Sequence, residues 1–141
     1  MERLAPLRAV YSDPAWRLPP PEEGTGPEQF AGAKTRERAQ IAAMNPRWDA
    51  VDIDIEVETL KAWDEATAFG IADVFGADLL PVRPVVPPSL VTLAGPSHLI
   101  SPADAAELAR RGFEVRTVRG AGHTIHRDDF DGFMTSLDGW I

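Results

Sequence analysis

The sequence predicts an α/β chain built from parallel strands with flanking helices, and three observations carry that reading. Residues 90–94, LVTLA, form an almost continuous apolar run, as expected of a strand covered on both faces. A helix with signals at both ends follows, and then a second stretch, Phe113 to Val118, rich in β-branched and aromatic residues. Two strands joined by a helix of this length should lie parallel with a right-handed crossover.

The connecting helix begins where Ser101 can cap, Pro102 suits the first helical position and Asp104 completes an S-x-x-D box. Gly112 suits its C-terminal turn. After the second strand, Asp128 and Asp129 stand where carboxylates favour a helix N-terminus. Phe130, Phe133, Met134, Leu137, Trp140 and Ile141 then form one apolar face at helical spacing. The order is strand, helix, strand, loop, helix. Two parallel strands leave their edges open, so further sheet is expected from elsewhere, either a second copy or a complementing chain.

Upstream the chain divides differently. Residues 1–33 read as an extended arm, because Pro6, Pro14, Pro19, Pro20, Pro21 and Pro27 with Gly24, Gly26 and Gly32 resist both helix and sheet. Within it Leu7 to Tyr11 is a short apolar piece able to pair or dock. Residues 34–80 read as helical: AKTRERAQIAAM is stopped by Asn45-Pro46, and Leu60, Trp63, Thr67 and Ile71 recur at helical spacing. Between them VDIDIEVE alternates apolar and acidic residues like a strand, and a helix is expected from about Glu56. Residues 81–141, opened by the stiff LLPVRPVVPP linker, hold the strand-helix-strand-helix unit.

Composition narrows the function. A length of 141 residues suits one ordinary domain, and 44% hydrophobic residues suit a globular one. The formal net charge is −8, with fourteen Lys and Arg scattered among twenty-two carboxylates, so neither nucleic acid nor an anionic membrane surface is an expected partner. The absence of cysteine excludes thiolate nucleophiles and sulfur-ligated zinc. With no signal-like apolar N-terminus and no apolar run of roughly 18 residues, a soluble cytoplasmic protein is the expectation.

In parallel sheets of this kind ligands sit beyond the carboxyl ends of the strands. Both loops at that end carry histidine: GPSHLIS holds His98, and RGAGHTIHRDD holds His123 and His126. Gly120 and Gly122 let the backbone turn sharply and bring the His123 imidazole to the sheet edge. His123 is therefore the candidate general base. A metal site on His98, His123 and His126 lacks the spacing of known zinc helices, and none is expected. Asp52, Asp54, Glu56 and Glu58 lack calcium-loop geometry and read as a solvated face. Trp48, Trp63, Phe69 and Phe75 are candidates to line an apolar pocket, though helical spacing favours plain packing.

From Asn45 onward the sequence resembles the C-terminal part of an α/β-hydrolase: a helical lid in NPRWDAVDIDIEVETLKAW, the strand SLVTLAGPSHLISP, a helix, and VRGAGHTIHRDDFDGFMTSLDGWI after the last strand. The resemblance implies a triad with His123 as base, acting on a small apolar ester, amide or similar bond without cofactor. It also implies a G-x-S-x-G nucleophile elbow and a His-Gly oxyanion loop before the lid, and neither occurs here. The expectation is a shortened chain without its own nucleophile; the alternative is a non-catalytic binding or interaction module. Many relatives carry the triad acid in the loop after the strand at 90–94, where this chain has no carboxylate and His98 stands near that position. Others carry it on an earlier strand.

Overall fold

The computed structural model describes residues 6–18, 20 and 26–141; the parts of the arm at 1–5, 19 and 21–25 lie outside them. In chain order the elements are β1 (Ala9–Ser12), α1 (Pro27–Ala31), α2 (Arg38–Met44), α3 (Ala50–Ala62), β2 (Ser89–Gly95), α4 (Pro102–Arg110), β3 (Glu114–Arg119), α5 (Ile125–Asp128) and α6 (Phe130–Ser136). Short 3-10 turns cover Gly32–Thr35 and Glu65–Val74. Two compact units result. One joins the N-terminal residues up to Trp16 to Leu79–Ile141, and the other is Arg17–Asp78.

The first unit is an α/β layer. Among the described residues three strands form one parallel sheet in the order β1-β2-β3, with Ala9 opposite Ser89 and Leu90 opposite Glu114. The third strand comes from the segment read as an arm: of the apolar piece Leu7 to Tyr11, residues Ala9 to Tyr11 pair and the strand runs on to Ser12, so β2 gains a neighbour on each side. That also revises the three-part division of the chain, because residues expected to be an extended arm belong with residues 79–141.

Pairing on both sides explains why every residue from Ser89 to Ala94 is buried. Alternation then sends side chains to opposite faces. Val91 and Leu93 pack with Leu80, Ile100, Leu108 and Phe113, against which Tyr11 and Trp16 also lie. Leu90 packs with Leu137 and Trp140, while Ala94 joins Val118, Ala121 and Ile125. The ring centroids of Tyr11 and Trp16 are 5.1 Å apart, and that of Phe113 lies 6.3 and 6.1 Å from them.

Helix α4 starts as its sequence requires. The Ser101 hydroxyl accepts the Asp104 amide at 3.1 Å. Expected as a single helix, the C-terminal run is instead two, divided at Asp129, whose carboxylate caps α6 by accepting the Gly132 amide at 2.8 Å. The carbonyls at the far end of α6 are met by arginine: Arg116 donates to Ser136 and Asp138, at 2.7 and 2.9 Å. Arg8 donates to Gly139 and lies over the Trp140 ring.

The second unit is largely helical. Its two ends are tied by an Arg17–Asp78 ion pair and by the Gly76 amide donating to Leu18. Helix α2 begins later than the expected Ala33, where the Gln40 side chain accepts the Glu37 amide at 2.8 Å. VDIDIEVE is helix throughout, from Ala50 rather than Glu56. A period of two cannot be satisfied on a helix, so Ile53 is buried while Val51 and Ile55 remain exposed. The expected continuation through Thr67 and Ile71 fails at Trp63, whose backbone is extended. Asp64 then accepts the Ala66 amide and the Thr67 hydroxyl, a local turn that competes with helix. No described helix is long and apolar enough to cross a membrane.

Gly95 closes β2 against β3. A Cβ placed there would lie 3.0 Å from the Arg119 Cα and 3.1 Å from the Val118 carbonyl oxygen, backbone atoms that cannot move alone. Gly95→Ala should therefore cost about 1–3 kcal/mol in urea unfolding; a cost below about 0.5 kcal/mol would show that the two strand ends separate freely.

Candidate active site

The site forms where the three strands end. β1 runs into Asp13, whose amide still donates to the Thr92 carbonyl at 2.7 Å and so continues the sheet ladder by one bond. There the chain turns. Asp13 has φ 42, in the left-handed region that aspartate tolerates better than most side chains. The turn directs its carboxylate across the end of β2, where Oδ1 accepts the Ala94 amide at 3.1 Å. Asp13 is fully buried.

β3 delivers the other partner. Gly120, at φ 82, donates its amide to the Gly95 carbonyl at 2.7 Å, and Gly95 donates back to Ala121 at 3.2 Å. The loop is thus pinned to the end of β2. Next, the Gly122 amide donates to Asp128 Oδ2 at 2.9 Å, fixing the residue before the histidine. His123 Nδ1 then lies 3.1 Å from Asp13 Oδ2. Its side chain remains 64% exposed, against 1% for Asp13.

The electrostatics follow from these contacts. Burial works against the charge on Asp13, but hydrogen bonds from His123, Ser97 and the Ala94 amide outweigh it and hold the carboxyl below its usual range. For His123 the hydrogen bond to Asp13 is the leading influence and lifts the imidazole above its ordinary value. Partial burial opposes this, and the charges of Asp13 and Asp128 add to it. With Asp13 ionised, the neutral ring keeps its proton on Nδ1 and presents the lone pair of Nε2, which has no partner among the described residues. That is the arrangement of a general base with its orienting carboxylate.

Of the residues singled out from sequence, His123 alone meets such a partner. His98 is exposed, and the carboxylate beside His123 is Asp13, directly after β1. His126 rests edge-on against Phe133, with ring centroids 6.0 Å apart. No three histidine or acidic side chains among the described residues cluster as metal ligands would. The acidic residues of VDIDIEVE lie on α3, where Asp54 pairs with Arg38. Phe75 packs near Phe30, and Phe69 is 53% exposed. Asp13 escaped sequence reasoning because YSDPAW sits among prolines; the available signal was an aspartate two residues after the β-branched and aromatic pair Val10-Tyr11.

Three parallel strands flanked by helices match part of an α/β-hydrolase-like fold, and comparison with solved structures supports that fold. The chain is similar to the crystal structure of a serine-to-alanine variant of the N-formylmaleamic acid deformylase from Pseudomonas putida S16, with a TM-score of 0.73 and 20% identity, over 93% of this chain and 56% of that one. The chain thus spans little more than half of that protein's length. No protein-family profile matches the sequence, and no curated protein matches it.

The His123–Asp13 contact sets a pH window. His123, raised by its partner, contributes stability that is present below the ordinary imidazole value and fades as pH climbs through its raised one. Asp13, lowered, contributes stability that is present above the ordinary carboxylate value and fades as pH falls through its lowered one. Asn tolerates the same backbone, so Asp13→Asn removes the charge alone. The stability difference from wild type should be widest between roughly pH 4 and pH 6.5 and narrow on both sides. In NMR titration the His123 ring should titrate above free imidazole in wild type and fall in Asp13→Asn; an unchanged midpoint would show that the contact is not formed.

Proposed function

We propose that the chain supplies the acid–base half of a hydrolase acting on an ester or amide carbonyl, with His123 as general base and Asp13 as the carboxylate that orients it. The observation that carries this reading is the buried Asp13 carboxylate held on Nδ1 of an exposed histidine whose Nε2 is open. In the reaction a nucleophilic hydroxyl passes its proton to Nε2 as its oxygen attacks the carbonyl, and Asp13 stabilises the resulting imidazolium. His123 then gives that proton to the leaving alcohol or amine, and water releases the acyl group by the same route.

The nucleophile, on this reading, comes from polypeptide beyond these 141 residues that extends the sheet at β1. The two outer strands differ in a way that favours this. β3 carries Glu114, Arg116 and Arg119, charges of the kind that guard an edge against pairing. β1 is AVYS, without charge and with Val10 40% exposed. A parallel strand added there would end beside Asp13, within reach of the site. The deformylase acts, by its name, on N-formylmaleamic acid, which makes formamide and amide carbonyls the first substrates to test.

The chain alone should not turn over p-nitrophenyl esters above a His123→Ala control. A fusion to the part of the wild-type deformylase that this chain leaves unmatched should hydrolyse N-formylmaleamate, and His123→Ala should lower that rate by roughly 10³-fold or more. A folded fusion whose activity ignores His123 would refute the assignment. The uncharged β1 edge also favours a second reading, a non-catalytic module that pairs with a copy of itself. In that case the chain would sediment as a dimer, Val10→Lys would make it monomeric, and the fusion would be inactive.

A further inference from the structure

His123 stands between two buried anchors, Ala121 and Ile125, which share one apolar cluster with Ala94 and Val118. Its own ring is 64% exposed, so packing does little to aim it and its direction depends on the backbone on either side. On the far side the backbone is tied into α5, because the Thr124 carbonyl accepts the Arg127 and Asp128 amides at 2.8 and 3.0 Å. On the near side a side chain takes that part. Asp128 Oδ2 accepts the Gly122 amide at 2.9 Å, a bond made stronger by the carboxylate charge. The fit is close: a Cβ built on Gly122 would lie 2.8 Å from the same oxygen.

Resting on the general-base reading of His123, we propose that Asp128 is a positioning residue: its carboxylate, by holding the Gly122 amide, fixes the backbone entering His123 and so aims Nδ1 at Asp13 Oδ2. The segment from Gly122 to Asp128 becomes a closed ring with the histidine inside it. Asp128 touches no reacting atom in this scheme. Its charge also favours the imidazolium, as that of Asp13 does, and substitution separates the two effects. Asp128→Asn removes the charge and keeps an acceptor oxygen, whereas Asp128→Ala removes both. Gly122→Ala keeps the charge and pushes the acceptor away.

The test is a set of NMR titrations of the His123 ring in the full chain, with circular dichroism to follow folding. Asp128→Asn should lower the midpoint slightly, through charge alone. Asp128→Ala should lower it by about half a pH unit more, and Gly122→Ala should lower it to a similar extent although the Asp128 charge remains. The decisive comparison repeats both Asp128 variants in an Asp13→Asn background, where Nδ1 has no carboxylate to meet. There the gap between them should close. Equal midpoints in the wild-type background would leave Asp128 only a charge and overturn the proposal. A gap that persists without the Asp13 carboxylate marks a general loss of loop shape, and overturns it too. Should Asp128→Ala not fold, Gly122→Ala decides, and an unmoved midpoint there is equally fatal. Failure of the general-base reading looks different: the fusion's activity would ignore His123 while these titrations ran as stated.

Discussion

One buried carboxylate organises the functional end of this protein. Charge in an interior is costly unless it is met by donors, and Asp13 is met by a β2 amide and by an imidazole from the loop after β3. Each of the three strands contributes to that arrangement through its carboxyl end. β1 must pair far enough to bring Asp13 to the end of β2, β2 must leave the Ala94 amide facing it, and β3 must be pinned through Gly95 and Gly120 so that His123 reaches across. A slip of one residue in β1 would turn the carboxylate to the opposite face of the sheet.

The legible parts of the sequence were those whose signals are local. The cap at Ser101, the buried run at 90–94 and the GAGH turn each announce themselves within a few residues, and each is found where it was expected. What was not legible depends on contacts distant in sequence. β1 has four residues, and its membership of the sheet is decided by Ser89 to Thr92, about eighty positions away. Asp13 and His123 are 110 residues apart, so no spacing rule links them. VDIDIEVE shows the reverse failure. A clear local pattern was overridden, because helix is favoured by the surrounding Ala, Glu, Leu and Lys and by an acidic face that water can solvate.

Between β1 and β2 the chain departs at Trp16 and returns at Leu79, where the Leu79 amide donates to the Trp16 carbonyl at 2.9 Å. That bond adds to the β1–β2 ladder in holding together segments more than sixty residues apart, and an Arg17–Asp78 ion pair ties the two ends of the inserted unit. Parallel strands always need a long crossover. Here that crossover forms a separate compact unit. The prolines of 81–88 keep the approach to β2 free of helix and strand, and its backbone is bent at 82–83 and 85–88 where the sequence predicts an extended linker.

The energetics of the pair bear on why it exists. An ion pair with one partner 64% exposed is screened by water and adds little to stability. Against that small gain stand the burial of Asp13 and its left-handed backbone, a conformation that costs of order 1 kcal/mol or more in a non-glycine residue. The arrangement gains instead a fixed direction: an imidazole held by one nitrogen, with the other open. Orientation of that kind has value where a proton must move along a defined line, and that is the strongest physical reason for reading Asp13 and His123 as acid–base machinery and not as a structural bridge.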